Sequence, residues 1–260
     1  MLLAVNANNT LTKFALYEGA EARGHWRIAT QPARTADEYF VWLAQLLALA
    51  ELDRTAIDAA VIATVVPPTL FNLKQLCRQH FNCEPLIVGE SPDKLGMKIR
   101  LERPQEVGAD RLANAVGGHM IYPGALIVVD FGTATTFDVI AENGDYCGGA
   151  IAPGVQLSLD VLHSATAKLP RIDVEKPAKA IGTDTLTAMQ SGIFWGYIGL
   201  IEGLIARIRN EWQEAMTTIA TGGLAPLFFG ATDALQHLDP DLTMRGLVEI
   251  HRRNRETGAS

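Results

Sequence analysis

The sequence predicts an α/β fold, from the order of its elements and from an internal repeat. Apolar strand patterns and amphipathic helix patterns follow each other through the first third of the chain in the order β-β-β-α-β-α-β. That order is typical of a mixed sheet with helices packed on it. A strand–turn–strand pattern that begins at Leu2 recurs at Leu126, which indicates two related halves.

The elements of the first half have recognisable boundaries. The apolar run Leu2–Val5 ends in a polar turn, Thr35–Glu38 has the form of a capping box, and Pro67 ends a strand and begins a helix. Helices are expected at 36–49 and 67–81, and strands at 2–5, 12–17, 25–29, 59–66 and 85–88.

The repeat aligns the segment LLAVNANNTLTKFAL with the segment LIVVDFGTATTFDVI. Each segment is a buried strand, a small polar turn and a second strand, followed by a glycine and a further strand. The superposition aligns Asn6 with Asp130 and Asn8 with Gly132. We therefore expect duplicated halves whose turns face each other across a cleft.

The two turns predict a phosphate site. Backbone N–H groups in a tight turn, with Thr and Asn side chains beside them, form a receptor for phosphate oxygens. Asp130 adds a carboxylate at the second turn, which suits a cation that accompanies phosphates. The chain contains neither Gly-x-x-x-x-Gly-Lys-Ser/Thr nor Gly-x-Gly-x-x-Gly, which argues against a P-loop or a Rossmann phosphate site.

Charge and composition argue against several other classes of protein. The 260 residues include 22 basic and 29 acidic ones, and a net charge of -7 disfavours nucleic acid as a partner. Met1–Val5 lacks the features of a signal peptide, and the longest apolar stretch, Gly192–Ile201, is half the length of a membrane span. We expect a cytoplasmic protein with no membrane partner. Disulfide and zinc spacings are absent, so three free thiols are expected, at Cys77, Cys83 and Cys147.

Several motifs in a fixed order carry a resemblance to a known family. Asp130–Thr136 has the form of a second phosphate motif, and Gly108–Arg111 that of a substrate motif. Further matching segments lie at 148–154, 188–192, 221–223 and 239–243. Together they resemble the type III pantothenate kinases over nearly the whole chain.

The resemblance implies a fold and an activity. The family has the actin-like, hexokinase-like (ribonuclease H-like) ATPase fold, with two duplicated domains around a nucleotide cleft, here expected at 1–118 and 119–260. It implies transfer of the ATP γ-phosphoryl to the hydroxyl of pantothenate, which gives 4'-phosphopantothenate in the first step of coenzyme A biosynthesis. It also implies Mg²⁺, a monovalent cation (K⁺ or NH₄⁺) and a homodimer.

The resemblance also implies roles for particular residues. Asp110 matches the catalytic base, Arg111 and Thr185 match substrate contacts, and Asp130 matches the K⁺ ligand. Gly108 and Ala109 complete the substrate motif. The positions that match ATP contacts are Asn6, Asn8, Asn9, Thr10, Lys13, Thr133, Gly222 and Gly223.

The residues alone leave simpler alternatives open for six of these positions. Arg111 also fits a surface salt bridge, and Asp130 and Thr133 also fit a buried, capped turn. Asp110 also fits a carboxylate in the first turn of a helix, where it complements the helix dipole. Thr185 also fits a helix N-cap region, and Lys13 also fits a solvated lysine on a strand.

The first phosphate motif departs from the family pattern Asp-x-Gly-Asn-Thr. Asn6 and Asn8 replace its aspartate and glycine, and an amide lacks the charge that organises Mg²⁺. Loss of one such group costs about 3 kcal/mol, roughly a hundredfold in rate. Asparagine tolerates left-handed backbone, so Asn8 is expected to keep the turn, and Lys13 could supply positive charge instead. Leu101 stands where many members carry an aromatic residue.

Three functions remain after this comparison. The leading prediction is a pantothenate kinase slowed by Asn6 and Asn8. The second is a catalytically impaired relative with a regulatory or ligand-binding role. The third is a kinase for another small hydroxylated acid, for which Leu101 is the one indication.

A long helix predicted at 184–212 carries glycines three and four residues apart, at 192, 196, 199 and 203. Glycines at this spacing lie near one face and permit close approach of another helix. The pattern predicts tight packing, either across a dimer interface or within one subunit.

Overall fold

A computed structural model describes residues 1–90, 95–165 and 170–257. Contacts divide the chain into two units, one of Met1–Met120 together with residues from Asp241 onwards, the other of Ile121–Pro240. Each unit contains one five-stranded sheet with helices. The predicted α/β class is confirmed.

The elements of the described residues follow the predicted order in the first half. The strands are β1 Leu2–Ala7, β2 Leu11–Glu18, β3 Glu21–Ala29, β4 Ala59–Thr64, β5 Leu86–Ile87, β6 Ala125–Phe131, β7 Ala134–Ile140, β8 Tyr146–Pro153, β9 Met216–Gly222 and β10 His237–Leu238. The helices are α1 Ala36–Leu49, α2 Pro67–His80, α3 Ala109–Ile121, α4 Val155–Ser164, α5 Thr185–Trp212, α6 Ala225–Phe228 and α7 Leu242–Thr257.

The two sheets have the same topology, which is the structural form of the repeat. The first has the order β3-β2-β1-β4-β5 and the second the order β8-β7-β6-β9-β10. In each, the central strand pairs antiparallel with the next strand of its hairpin and parallel with the fourth strand. The carboxyl ends of the parallel pair therefore lie at one edge of each sheet, together with the hairpin turn.

The two hairpins differ in the length of their turns. The N–H of Asn8 donates to Leu11 O at 3.1 Å, whereas the N–H of Gly132 donates to Ala134 O at 3.1 Å, so the second turn is one residue shorter. The ungapped superposition therefore holds through Gly132 but is wrong by one residue along the second strand. Lys13 corresponds to Thr136 in the two ladders.

The first core lies on one face of its sheet. Alternate residues of β1, among them Leu3 and Val5, pack with apolar residues of α1 and α2, such as Tyr39 and Leu73. Because side chains alternate across a strand, Asn6 lies on the opposite face. The predicted capping box of α1 is present, with the N–H of Glu38 donating to Thr35 Oγ1. The three cysteines are free thiols, as predicted.

The closing helix α7 belongs to the first unit, whereas the predicted division at 118/119 assigns it to the second domain. A Cβ atom on Gly246 would lie 1.9 Å from Ala113 O, and one on Gly117 would lie 2.6 Å from Leu242 O. The two glycines therefore allow the backbones of α3 and α7 to touch. This approach, which pattern analysis of separate segments does not detect, is the physical reason for the difference.

Helix α5 is long and apolar enough to cross a membrane by length and composition alone. Its buried side chains, including Phe194, Ile201 and Ile205, form the core of the second unit. A Cβ atom on Gly192, Gly196 or Gly199 would meet nothing within 4 Å. Within the described part of the chain, then, the predicted packing of these glycines inside one subunit is not found.

Candidate active site

The first candidate group lies in the turn between β1 and β2. Asn6 is 1% exposed, and its Oδ1 atom has no hydrogen-bond partner among the described residues, nor has that of Asn8. The turn is held by Thr30, the residue after β3, because its Oγ1 donates to Asn8 O at 2.6 Å and its N–H donates to Thr10 O at 2.9 Å. Asn9 and Thr10 are exposed.

The backbone of this turn needs no left-handed residue. Positive φ among the described non-glycine residues occurs only at Glu51, Asn82 and Gln213, and Gly132 also has ordinary φ. A Cβ atom on Gly132 would make only ordinary contacts, the nearest at 3.4 Å from Ala134 O. The expected role of asparagine as a left-handed residue is therefore wrong for Asn8, because its φ is not positive.

Asp110 lies at the same edge of the first sheet. It is in the first turn of α3, as the simpler alternative expected, and its Oδ1 accepts from the N–H of Arg111 at 2.8 Å. A Cβ atom on Gly108 would lie 2.7 Å from Asp110 Oδ1 and 3.2 Å from Val65 Cγ1. Since the N–H of Val65 donates to Ala7 O at 3.1 Å, Asp110 lies near the carboxyl ends of β1 and β4. Arg111 is half-buried beside it.

The second candidate group lies at the corresponding edge of the second sheet. Asp130 on β6 pairs with Thr136 on β7 and with Thr221 on β9. Thr221 is 1% exposed, and its hydroxyl has no hydrogen-bond partner among the described residues. Paired residues of neighbouring strands share one face of a sheet, so a carboxylate and two hydroxyls converge there.

Gly222 makes this arrangement possible. Its φ is +94°, and a Cβ atom on it would lie 2.5 Å from Asp130 Oδ1 and 2.6 Å from Phe131 N. Only glycine fits such a position without strain. Gly223, by contrast, has open space where its Cβ would be.

Thr133 lies on the exposed tip of the second turn, which packs against the start of α4. The N–H of Gly154 donates to Thr133 O at 3.0 Å, and a Cβ atom on Gly154 would lie 2.1 Å from the same oxygen. The turn is therefore held at its backbone, and Thr133 is an exposed residue.

Thr185 is the first residue of α5 and is exposed. The adjacent N-cap, Asp184, accepts from the N–H of Thr187, and this backbone hydrogen bond holds the pKa of the Asp184 carboxyl below its ordinary value. Thr185 also lines a cavity of about 420 Å³ together with Leu162, Ala188, Met189, Gly192 and Ile193.

Sequence analysis included Thr136 in the second phosphate motif without giving it a role, and it did not single out Arg27. Thr136 pairs with Asp130, and Arg27 pairs with Lys13 on the far side of β2. The only signal that could have found them is strand register, which the ungapped repeat misplaced.

Among the described residues, no group of three or more His, Cys, Asp or Glu side chains could hold a metal ion. A larger cavity, of about 620 Å³, lies at the opposite edge of the first sheet and contains none of the predicted site residues.

The comparison with known families decides the identity of the chain. Residues 2–207 match the family model described as type III pantothenate kinase. The type III pantothenate kinase of Paramagnetospirillum magneticum is 59% identical over 254 residues, which cover 98% of this chain and 98% of that protein. The chain belongs to the type III pantothenate kinase family. The resemblance drawn from the motifs is confirmed, and this family membership covers both units.

Solved structures support the fold of a type III pantothenate kinase. A 2-dehydro-3-deoxygalactonokinase protein from Sinorhizobium meliloti superposes with a TM-score of 0.63 at 14% identity, over 98% of this chain and 96% of that one. A protein described as a conserved Baf family transcriptional activator, from Campylobacter jejuni, gives 0.61 at 20% identity, over 98% and 99%. The predicted actin-like, hexokinase-like fold is confirmed; likeness at this identity shows the fold alone.

The contrast between Gly222 and Gly223 can be tested directly. Gly222→Ala should lower the free energy of unfolding by about 1–3 kcal/mol, because it combines positive φ with overlap on β6. Gly223→Ala is the matched control and should change it by less than about 0.5 kcal/mol. Urea denaturation of both variants measures the difference. Equal stability of the two would contradict the close approach to Asp130.

Proposed function

We propose that this chain phosphorylates pantothenate, transferring the γ-phosphoryl of ATP to the pantothenate hydroxyl to give 4'-phosphopantothenate. Family membership over both units is the observation that carries the proposal. The retained carboxylates Asp110 and Asp130, each at the carboxyl edge of a sheet, support it because ligands of open α/β sheets bind at that edge.

Asp110 is the catalytic base of the proposed reaction. In phosphoryl transfer a carboxylate accepts the proton of the attacking hydroxyl while the phosphorus is attacked in line. The hydrogen bond from the N–H of Arg111 orients the carboxylate, and the missing Cβ of Gly108 leaves room for it. The Arg111 guanidinium suits the carboxylate of pantothenate through paired donors. Gly108, Ala109 and Thr185 complete the proposed substrate contacts.

Each unit contains residues that match the family's ATP contacts, and these residues are the proposed nucleotide contacts. In the first unit the contacts are Asn6, Asn8, Asn9, Thr10 and Lys13. In the second unit they are Thr133, Gly222 and Gly223, where the glycine backbone can approach a flat ring.

Asp130 is proposed to hold the monovalent cation, K⁺ or NH₄⁺. The buried hydroxyl of Thr221 beside this carboxylate, which has no hydrogen-bond partner within the described ranges, supports the assignment, because K⁺ prefers several oxygen ligands. The cation would supply positive charge near the phosphates.

Mg²⁺ fits the first turn less well. The side chains of Asn6 and Asn8 are neutral, and Lys13 faces Asn6 across the ladder. Hard divalent cations favour carboxylate oxygens, and a neighbouring ammonium disfavours them. We therefore derive no catalytic step through a Mg²⁺ ion held by this turn.

The second candidate, a regulatory relative without catalysis, has less support. The substitutions at Asn6 and Asn8 are its only basis, whereas Asp110, Asp130 and Thr133 are retained. A kinase for another hydroxylated acid likewise depends on Leu101 alone, which is half-buried in an irregular segment.

The protein is also proposed to form a homodimer whose interface lies on the second unit. Its proposed location is the cytoplasm. The glycines of α5 leave one face of this helix open. Helix α5 packs against α4, which exposes Leu157 and Val161. A second copy covering this apolar surface would explain why α5 is so apolar yet partly exposed.

The kinase proposal predicts a specific variant phenotype. Pantothenate-dependent release of ADP should depend on Asp110, and Asp110→Asn should lower kcat by about 10²–10⁴. ATP binding should stay within about threefold, because the base contacts the hydroxyl rather than the nucleotide. A coupled ADP assay with K⁺ and Mg²⁺ measures kcat, and calorimetry measures binding.

The matched control is Glu106→Gln, which removes an exposed carboxylate just before α3 that forms an ion pair with Arg103 at 3.0 Å. Its kcat should be unchanged. Activity of Asp110→Asn within tenfold of the unmodified protein would exclude Asp110 as the base. An unmodified protein that releases no ADP in response to pantothenate would exclude the kinase function.

The dimer proposal predicts a mass of about twice 28.1 kDa by light scattering. Val161→Lys, at a 55% exposed position of α4, should shift the protein towards monomer because it places a charge in an apolar interface. Val41→Lys, at a 68% exposed position of α1, is the control and should stay dimeric. A monomeric unmodified protein would refute the dimer.

A further inference from the structure

The two hairpin turns occupy equivalent places but carry opposite charge. Asn6 lies two residues before Asn8, whose N–H closes the first turn, and Asp130 lies two residues before Gly132, whose N–H closes the second turn. The residues that pair with Asn6 or with Asp130 on neighbouring strands form a row across each sheet. The Asn6 row consists of Arg27, Lys13, Asn6 and Ala63. The Asp130 row consists of Ile151, Thr136, Asp130 and Thr221.

The Asn6 row therefore carries two positive charges and the Asp130 row one negative charge. Paired residues share a face, with Cβ atoms about 5 Å apart, so Lys13 and Arg27 lie beside Asn6 on the face away from the first core. Among the described residues, neither cation has a carboxylate partner: Arg27 is exposed and Lys13 half-buried. The first row is suited to an anion and the second to a cation.

Asn6 is what leaves Lys13 unneutralised. An aspartate here would form a cross-strand ion pair with Lys13 and would repel phosphate oxygens. An asparagine does neither, and its amide can donate hydrogen bonds to a phosphate, which a carboxylate cannot. The buried Oδ1 atoms of Asn6 and Asn8 lack partners among the described residues, so the turn is not complete without a bound group. Rotation of either side-chain amide exchanges its oxygen for its N–H₂ group, which can donate to a phosphate oxygen.

We propose that the Asn6 row binds the triphosphate of the nucleotide through Lys13, Arg27 and the Asn6 amide in place of a divalent cation, so that ATP binding by this chain depends little on Mg²⁺. The proposal rests on the proposed kinase function and adds the form of the nucleotide that the first turn accepts. It concerns binding: the chemical step can still require Mg²⁺.

The experiment is calorimetric titration of the full chain with ATP, without pantothenate, in EDTA and in excess Mg²⁺. For the unmodified protein we expect Kd values within about threefold of each other. Asn6→Asp should raise Kd in EDTA by about tenfold or more, because it neutralises Lys13 and repels the phosphates, and should create a preference for Mg²⁺. Lys13→Met should raise Kd in EDTA by a similar factor.

The control is Arg23→Met, which removes a cation at the other end of β3 that pairs with Glu18. It should leave both Kd values unchanged, and thermal unfolding should show that every variant is folded. ATP binding by the unmodified protein only with Mg²⁺ would overturn the inference while leaving the kinase function standing. Equal Kd values for the unmodified protein and Asn6→Asp in EDTA would also overturn it. Failure to bind ATP in either buffer would overturn both proposals.

Discussion

The whole arrangement depends on one feature of strand pairing, repeated in each unit. The central strand, β1 or β6, pairs antiparallel with its hairpin partner and parallel with the fourth strand of its sheet. This combination brings a tight turn and two strand ends to one edge of each sheet. Asp110 joins that edge in the first unit because Gly108 lets α3 begin against Val65. Asp130 and Thr221 meet at it in the second.

Because this strand arrangement occurs twice, the side chains at the two edges can differ in charge without a change of fold. This strand arrangement is called the frame below. The frame needs glycine where backbones touch, at Gly222, Gly154 and Gly246, but it does not need glycine in the first turn. Asn8 can therefore replace a glycine at little conformational cost. The substitution at Asn6 changes charge rather than shape, since amide and carboxylate have nearly the same outline. Electrostatics, and not packing, is where this member departs from its family.

Much of this could be predicted from sequence, because the signals are local. Strand patterns, the capping box at Thr35 and the proline at the start of α2 each depend on neighbouring residues, and all three agree with the structure. The family motifs were recognisable for the same reason. The predictions that the structure corrected depended on contacts between distant parts of the chain. The position of α7 depends on contact between Gly246 and Ala113, and the partners of Asn6 depend on a turn one residue longer than its counterpart. An ungapped repeat cannot show either.

The most direct test of the division of charge between the two turns is a crystal structure of the full chain with a non-hydrolysable ATP analogue and thallium(I), which substitutes for K⁺ and is located by its anomalous signal. We expect thallium beside Asp130 and Thr221, and phosphate density against Asn6, Asn8 and Lys13. Thallium at the first turn, or phosphates bound away from Lys13, would contradict the assignment of anion and cation to the two edges.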